Sequence, residues 1–455
     1  MIKRNFSALL FFVLCLAVPF TVLGAPLDEA KQLVKDNYVG TIDGNLNSAT
    51  TIDQLMDMLD PYSSFYTAEQ FESFLNGIEL SSVGIGVVIE KVESGIQIND
   101  LIDGGSAKSA GLKIGDIITA IEGTSTTTLT IDQASSRIKG AENTNVSLTI
   151  LREDGTILKK TLLRKAFTLP NVETELLYGN TGYISLHSFS NNTVSLVTKA
   201  IKDLKNKGAK TFIFDLQNNG GGYVTAAEQL IGMFPNANYA YKLKETSGTS
   251  TVRAMKQATQ FPEQTKVLVN NQSASSSEMA AAALVDQNAA KLYGQTTYGK
   301  GSMQAFYELE DGSFLKLTVG HFYGPNGTKI NEVGIKPHVE TVNNPLYQAH
   351  YDTIAASLTT YKELPALKNV PLTKTFTATF STTLANTINP AAVEFVELGG
   401  SVIETTFKLE GQQLLVTPKQ ALVTGKEYAL IIHPNVKVAN GKTLKTGIYL
   451  NVTVK

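Results

Sequence analysis

The sequence of 455 residues contains no tryptophan, one cysteine and five histidines, and its formal net charge at pH 7 is only −2. A chain without a basic surplus lacks the electrostatic footprint of a nucleic-acid-binding protein. One cysteine cannot form an intrachain disulfide, and the histidines show no ligand spacing such as H-E-x-x-H. We therefore expect no metal, no cofactor and no nucleic-acid partner, and a fold stabilised by hydrophobic cores.

The N-terminus has the pattern of a targeting segment. Lys3 and Arg4 precede an apolar stretch over residues 9–23, and small residues before Ala25 form a cleavage site. We expect residues 1–24 to be a signal peptide and the mature chain to be secreted or extracytoplasmic, at the cell surface or in the periplasm. The alternative is an uncleaved segment that anchors the chain in a membrane.

Two short segments carry the strongest indication of chemistry. Ser275 lies in a serine-rich turn that opens an alanine-rich helix, where unpaired backbone N–H groups favour a developing negative charge. Lys300 lies between two glycines, which let the backbone carry its amine into a site screened from water. An ordinary lysine, with a pKa of about 10.4, is a poor base at neutral pH, so this pair requires a dry cleft. Taken singly, the segments also fit a polar helix cap and a surface lysine.

A third segment predicts the rim of the same site. A continuous apolar run over residues 211–214 ends at Asp215 and leads into a turn rich in asparagine and glycine. This pattern is typical of a buried parallel strand that ends at an active site.

These segments resemble the signature of the carboxyl-terminal processing peptidases, also called tail-specific proteases. Their motif is [ST]-A-S-A-S-E, whose middle serine attacks, followed by a lysine in a G-K-G context and a glutamine four residues beyond. The resemblance implies that Ser275 is the nucleophile, that Lys300 is its base and that Gln304 orients the lysine. It also implies that the backbone N–H groups of Gly221 and Ser276 form an oxyanion hole. Two departures are Ser276, where the family usually has alanine, and Gly220, where it usually has proline.

Residues 81–167 resemble a PDZ domain. Gly84, Ile85, Gly86 and Val87 form a glycine loop that leads into a β-branched strand. Such a loop offers N–H donors to a terminal carboxylate, and the adjacent strand edge pairs with the bound peptide. The resemblance implies protein or peptide substrates with free, apolar C-termini, while glycines that merely shape a β-turn are the alternative.

The rest of the chain divides by its periodicity. Residues 25–80 are mostly of helical pattern, including a helix over 51–59, and residues 60–63 resemble the family's D-P-[HY]-S turn. Residues 168–363 alternate between strand and helix patterns, and residues 370–455 resemble the small Ig-like modules of bacterial surface proteins. We expect an α/β peptidase core, a ClpP/crotonase-like sandwich, with an N-terminal helical region, an inserted PDZ domain and a self-contained C-terminal all-β Ig-like domain.

The sequence thus predicts a secreted serine endopeptidase that captures substrate tails through a PDZ domain and cleaves with a Ser/Lys dyad. Relatives often dimerise through the N-terminal region, so a homodimer is one expectation, and attachment of the Ig-like module to a cell-wall or surface polymer is another. The rival class is a catalytically silent, PDZ-containing peptide-binding protein of the cell surface. The loosened turn at Gly220 favours that alternative, and the presence of both Ser275 and Lys300 disfavours it.

Overall fold

The computed structural model describes residues 26–455. The predicted signal peptide, residues 1–24, lies outside the described residues. Within residues 26–455, no helix combines the length and the apolar composition that a membrane crossing requires.

The N-terminal region is less helical than its sequence pattern predicts. Its elements are α1 (Pro26–Asn37), α2 (Ile52–Met56), β1 (Ser64–Tyr66) and α3 (Ala68–Ile78). The predicted helix over 51–59 shrinks to the five residues of α2. Thr67 caps α3, because its hydroxyl accepts the N–H of Gln70 while the Gln70 side chain accepts the N–H of Thr67.

The region that resembles a PDZ domain is built on one sheet. Its elements are β2 (Ser81–Gly84), β3 (Val87–Val92), β4 (Gly95–Leu101), α4 (Ser106–Ser109), β5 (Ile117–Ile121), β6 (Thr124–Ser125), α5 (Ile131–Ile138), β7 (Asn145–Leu151), β8 (Ile157–Leu163) and β9 (Lys165–Thr168). The main sheet has the order β3-β4-β5-β7-β8, so β3 is an edge strand. The antiparallel pair β2 and β9 joins the entry and the exit of this region.

The central region alternates strands and helices. Its elements are β10 (Val172–Leu177), β11 (Thr181–Leu186), α6 (Thr193–Asn206), β12 (Thr211–Asp215), α7 (Val224–Ile231), β13 (Tyr239–Glu245), β14 (Gly248–Arg253), β15 (Lys266–Val269), α8 (Ser276–Asp286), β16 (Lys291–Gly294), β17 (Ser302–Glu308), β18 (Phe314–Tyr323), β19 (Val339–Glu340) and α9 (Pro345–Ser357). One sheet has the order β10-β11-β12-β15-β16-β19, and it is parallel from β11 to β19. A second sheet contains β1, β18, β13 and β14, with β17 paired to β18.

The position of α8 fixes the site. Residues 276–284 of α8 are all buried, and Met279 to Leu284 share one hydrophobic core with Val267 of β15 and Phe322 of β18. The alanine-rich helix that the sequence predicts after Ser275 is therefore buried over residues 276–284. Because β12 and β15 are parallel neighbours, their carboxyl ends bring the glycine-rich turn and the serine-rich turn to the same edge of the sheet.

Two sheets enclose one core in the C-terminal region. Its strands are β20 (Lys362–Glu363), β21 (Leu367–Val370), β22 (Phe376–Thr379), β23 (Val393–Glu397), β24 (Thr405–Glu410), β25 (Gln413–Pro418), β26 (Glu427–Ile432) and β27 (Ile448–Val454). One sheet has the order β20-β27-β26-β23 with β21 also on β27, and the other has the order β22-β25-β24. Phe376, Val416, Phe395 and Val452 meet in the core between them. We call residues 362–455 the C-terminal module.

The C-terminal module packs tightly against α9. Tyr347 and Ile354 of α9 share a hydrophobic cluster with Val396 and Ile431 of the module. The ring of His350, which has no exposed surface, accepts the N–H of Gly399 at Nδ1 (2.8 Å) and lies 2.9 Å from the carbonyl oxygen of Tyr178 at Nε2. The sequence suggests a self-contained module, whereas removal of this module would expose the apolar face of α9.

Candidate active site

A cavity of about 640 Å³ lies where the two turns meet. Ser275, Lys300, Gln304 and Gly221 all line it, so the structure brings together residues from three separate segments of the sequence. In the described part of the chain, no hydrogen bond joins the Ser275 hydroxyl to the Lys300 amine. The two side chains are therefore related here by the cavity that both of them line.

Ser275 has an unusual backbone conformation. It is the N-cap of α8, with φ of 54° and ψ of −111°, a combination that few residues other than glycine adopt. Such strain persists only where the surrounding structure enforces it, and it concentrates at functional sites. Gly221 packs directly against this turn, since a Cβ added there would lie 2.9 Å from the Cβ of Ser275. No residue with a side chain fits at position 221 without moving the nucleophile.

The other serines of the turn have a structural role. The hydroxyls of Ser273, Ser276 and Ser277 donate to the carbonyl oxygens of Leu216, Gly222 and Asn219, at 2.8, 2.9 and 2.8 Å. They tie the serine-rich turn to the glycine-rich turn. Of these four serines, only Ser275 lines the cavity. The hydroxyl of Ser276, which is next to the candidate nucleophile in sequence, is thus already engaged in a hydrogen bond.

The environment of Lys300 favours its neutral form. Burial lowers the pKa of its amine most, the positive charge of Lys316 lowers it as well, and Asp60 and Glu278 oppose both effects, which leaves a pKa of about 8. The ring of Tyr62 lies over the amine, with 5.1 Å from Nζ to the ring centroid. Lysine with such a pKa is a far better proton acceptor at neutral pH than an exposed lysine.

Glu278 connects the two catalytic segments, which the sequence did not reveal. Its side chain has no exposed surface. Its Oε2 accepts the backbone N–H groups of Ser275 (3.0 Å) and Lys300 (2.7 Å), and its Oε1 accepts the N–H of Gly299 and the hydroxyl of Thr297, both at 2.6 Å. Four donors therefore compensate the burial of this carboxylate. One side chain fixes the backbone of both proposed catalytic residues.

Two predicted details differ from the hydrogen bonds of this structure. The amide of Gln304 donates to Ser302 Oγ (2.9 Å) and Thr318 Oγ1 (3.2 Å), and it makes no bond to Lys300 within the described chain. The N–H of Gly221 donates to Oδ1 of Asn219 at 2.9 Å, so it would have to leave that acceptor to hold an oxyanion. Ser276 is the first residue of α8, where the backbone N–H has no partner within the helix.

Helix α3 of the N-terminal region forms a wall of the cavity. Phe71 stacks on Phe314 with 3.9 Å between ring centroids, and Phe74 packs against Phe306 at 5.2 Å. Phe74 also lines the cavity. Because α3 leads directly into β2, the same helix borders the catalytic cavity and the entry of the region that resembles a PDZ domain.

The predicted peptide loop lies at an open strand edge. Gly84 ends β2, Ile85 is fully buried, and Val87 begins β3, the edge strand of its sheet. Gly86 has φ of 74°, and a Cβ there would lie 2.6 Å from the Cα of Gly105. The loop conformation thus requires glycine, and the free edge of β3 meets the geometric requirement for pairing with an added strand.

Family models match the two central regions separately. Residues 180–341 match the model "Peptidase family S41", and residues 73–151 match the model "PDZ domain". The carboxy-terminal processing protease CtpA of Bacillus subtilis (strain 168) is 33% identical over 311 residues, which cover 68% of this chain and 67% of that protein. The chain belongs to peptidase family S41.

Other relatives of this S41 chain are longer. A probable CtpA-like serine protease of Staphylococcus aureus (strain COL) is 32% identical over 331 residues, which cover 71% of this chain but 65% of that protein. The chain thus matches less than two thirds of the length of this relative. Among solved structures, the photosystem II D1 C-terminal processing protease is similar over 73% of this chain and 96% of that chain, with 23% identity and a TM-score of 0.44. The match to the S41 model and the relatives named as proteases do not favour the non-enzymatic alternative.

Proposed function

We propose that this protein is a serine endopeptidase of the C-terminal processing type, with Ser275 as nucleophile and Lys300 as base. The observation that carries the proposal is a buried lysine, with its pKa lowered to about 8, in the same cavity as a serine on a strained helix N-cap. Membership of family S41 and relatives named as proteases support it.

In the proposed reaction, the neutral Lys300 amine takes the proton of the Ser275 hydroxyl while the oxygen attacks the peptide carbonyl. Backbone N–H groups of Ser276 and Gly221 hold the oxyanion that forms, once Gly221 is released from Asn219. The C–N bond then breaks, and the Lys300 ammonium protonates the leaving amine. Water attacks the acyl-enzyme ester, and the same lysine acts first as base and then as acid. Gln304 would orient Lys300 when substrate is bound.

The region that matches a PDZ domain would select the substrate. Its loop, Gly84 to Val87, would receive the terminal carboxylate of a protein tail and β3 would pair with the tail, which leaves the preceding segment to enter the catalytic cavity. The domain limits 81–167, 168–363 and 370–455 are also part of this proposal. The proposal further includes the Ig-like assignment of residues 370–455, secretion after removal of residues 1–24, and a homodimer.

The proposal is tested with an unfolded protein substrate such as β-casein, followed by gel electrophoresis and mass spectrometry. Wild-type protein should produce discrete fragments, and Ser275→Ala and Lys300→Ala should each reduce the rate to background, because nucleophile and base act as a unit. Both variants should keep the thermal midpoint of the wild type within a few degrees.

Ser276→Ala is the matched control, since it removes a neighbouring hydroxyl that donates to Gly222 and leaves the backbone N–H in place. It should lose about 1 kcal/mol of stability and retain most of its activity. An active Ser275→Ala with an inactive Ser276→Ala would move the nucleophile by one residue. Wild-type protein that cuts no unfolded substrate would refute the proposed function.

A further inference from the structure

A second cleft, of about 880 Å³, opens in the C-terminal module far along the chain from the catalytic turns. Half-buried apolar side chains form its floor: Leu364, Phe380, Leu444 and Ile448. Consecutive residues 376–382 form one wall, so the cleft follows the length of β22 and its continuation. Lys362 of β20, Leu364, and Leu367 of β21 form another wall.

Both walls are strand edges. β22 is the terminal strand of its sheet and β20 and β21 lie at the edge of the other sheet. The N–H of Phe380 donates to the carbonyl of Gln412 at 2.9 Å, next to the ladder of β22 with β25. Because inward and outward N–H groups alternate along an antiparallel strand, Thr377 and Thr379 direct theirs away from β25. An unpaired edge of this kind is a template for another extended chain.

The charge around the cleft has one sign. Lys362, Lys374, Lys442 and Lys445 line it, and no carboxylate does; within the described residues none of these four lysines forms an ion pair. The glutamates of the module are bonded elsewhere. They pair as Glu363 with Tyr351, Glu394 with His433, Glu397 with Lys426, Glu404 with Lys419, Glu410 with Lys408 and Glu427 with Asn343. Within the described residues, no carboxylate of the module therefore neutralises the positive charge of the lysine rim.

We propose that this cleft binds an extended polypeptide segment in which apolar and acidic residues alternate. Alternate side chains of a strand point to opposite sides, so one set would cover the apolar floor and the other would meet the lysine rim. The backbone of the segment would add to the free edge of β22. This inference gives the module a protein partner, and it does not depend on the proposed peptidase activity.

The test uses the whole chain carrying Ser275→Ala, so that the probe is not cut. The probe is a fluorescein-labelled peptide of alternating valine and glutamate, with its C-terminus amidated to avoid a carboxylate-binding loop, and binding is measured by fluorescence anisotropy. The same peptide with lysine in place of glutamate should bind at least about tenfold more weakly, and the difference should shrink at high salt.

Two sets of variants locate the site. Lys442→Glu with Lys445→Glu should weaken binding about tenfold or more, whereas Lys368→Glu with Lys455→Glu, two exposed lysines of the module outside the cleft, should change it less than about twofold. Thr379→Pro removes one outward N–H at a strand edge, where proline is tolerated, and should weaken binding about threefold to tenfold.

Other occupants would give other results. Equal loss of binding in the two double variants would show that peptide binding depends only on the net charge of the protein. That result would overturn the proposal. Displacement of the probe by inorganic polyphosphate as effectively as by unlabelled peptide would assign the rim to an anionic polymer and overturn it too. Binding of dodecyl phosphate with no binding of the peptide would assign the cleft to an amphiphile, with the same consequence.

Discussion

Oε2 of Glu278 accepts the backbone N–H of Lys300 at 2.7 Å, and the same oxygen accepts the N–H of Ser275 at 3.0 Å. The two proposed catalytic residues are thus held at a common point by a third side chain that touches neither reacting atom. Glu278 is a positioning residue in this arrangement. Its contribution can be separated from that of the dyad.

Glu278→Gln should lower kcat at least about tenfold and change KM much less. The amide that replaces Oε2 or Oε1 donates instead of accepting, so at least one backbone N–H loses its partner and the two segments shift relative to each other. Steady-state rates on a fluorogenic peptide, together with the thermal midpoint, measure both effects.

The matched control is Glu228→Gln. Glu228 is also buried and accepts a hydrogen bond from Tyr241 at 2.7 Å, but it does not line the catalytic cavity. It should lose stability and keep its kcat. If both variants lose kcat equally, general destabilisation explains the effect and the positioning role of Glu278 is wrong.

Lys316→Met should move the acidic limb of the pH–rate profile to higher pH. Lys316 lies near Lys300, and its positive charge disfavours a second ammonium, which lowers the pKa of Lys300. Without that charge, the pKa of Lys300 rises. Lys300 then stays protonated up to a higher pH, and it acts as a base only above that pH. The measurement is kcat/KM over a range of about pH 6 to 10, where this limb reports the free enzyme.

Lys242→Met serves as the comparison, because Lys242 is a half-buried lysine of β13 in the same sheet that does not line the cavity. Its profile should match the wild type. A Lys316→Met profile that is unchanged, or that moves to lower pH, contradicts the role of Lys316.

Local pattern predicted most of the elements. The apolar run that ends at Asp215 is β12, and the alanine-rich helix that the serine-rich turn opens is α8. The N-terminal region was the main error. There, the α-helix of α2 ends at Met56 and residues 57–59 form tighter turns, since the N–H groups of Met58 and Leu59 donate to the carbonyl oxygens three residues back, those of Leu55 and Met56.

The sequence pointed to Ser275 and Lys300, which the structure places in one cavity, and it did not reveal their surroundings. Glu278 reads as a capping residue in the sequence, and its contacts with Gly299 and Lys300 depend on tertiary structure. Which residues of β18 face the cavity depends on the register of β17 against β18. That register shifts between Met303 and Gln304, and such an irregularity has no clear signature in one sequence.

The interface between α9 and the C-terminal module should weaken as the pH falls from about 7 to about 4. Burial lowers the pKa of His350 from 6.5 to about 4. Between these values the unfolded chain binds a proton that the folded chain does not, so the free energy of unfolding decreases with falling pH by about 3 kcal/mol and then levels. Urea denaturation followed by tyrosine fluorescence at several pH values measures this.

His350→Gln should be less stable near pH 7 and should lose this part of the pH dependence, because the titrating ring is gone. His321→Gln, which changes a histidine outside this interface, should keep the slope of the wild type. Parallel curves for His350→Gln and wild type would mean that His350 does not carry the effect.

The last prediction concerns the choice of substrate. A peptide with a free, apolar C-terminal residue should be cut faster than the same peptide with a C-terminal amide, because the amide loses a charge-assisted bond of about 1.5 to 3 kcal/mol at the loop from Gly84 to Val87. Gly86→Ala should reduce that ratio of rates. Its new Cβ would lie 2.6 Å from the Cα of Gly105, so the loop must shift and displace the N–H donors.

Gly104→Ala is the matched control, since Gly104 also has a positive φ, 88°, yet an added Cβ meets no atom within 4 Å. Both variants incur the conformational cost of a side chain at positive φ, and only Gly86→Ala displaces the loop. The ratio of rates for free and amidated peptides should therefore fall in Gly86→Ala and persist in Gly104→Ala. Equal rates for the two peptides in the wild type would mean that this loop does not select substrates, and any selection would then have to come from the catalytic cavity itself.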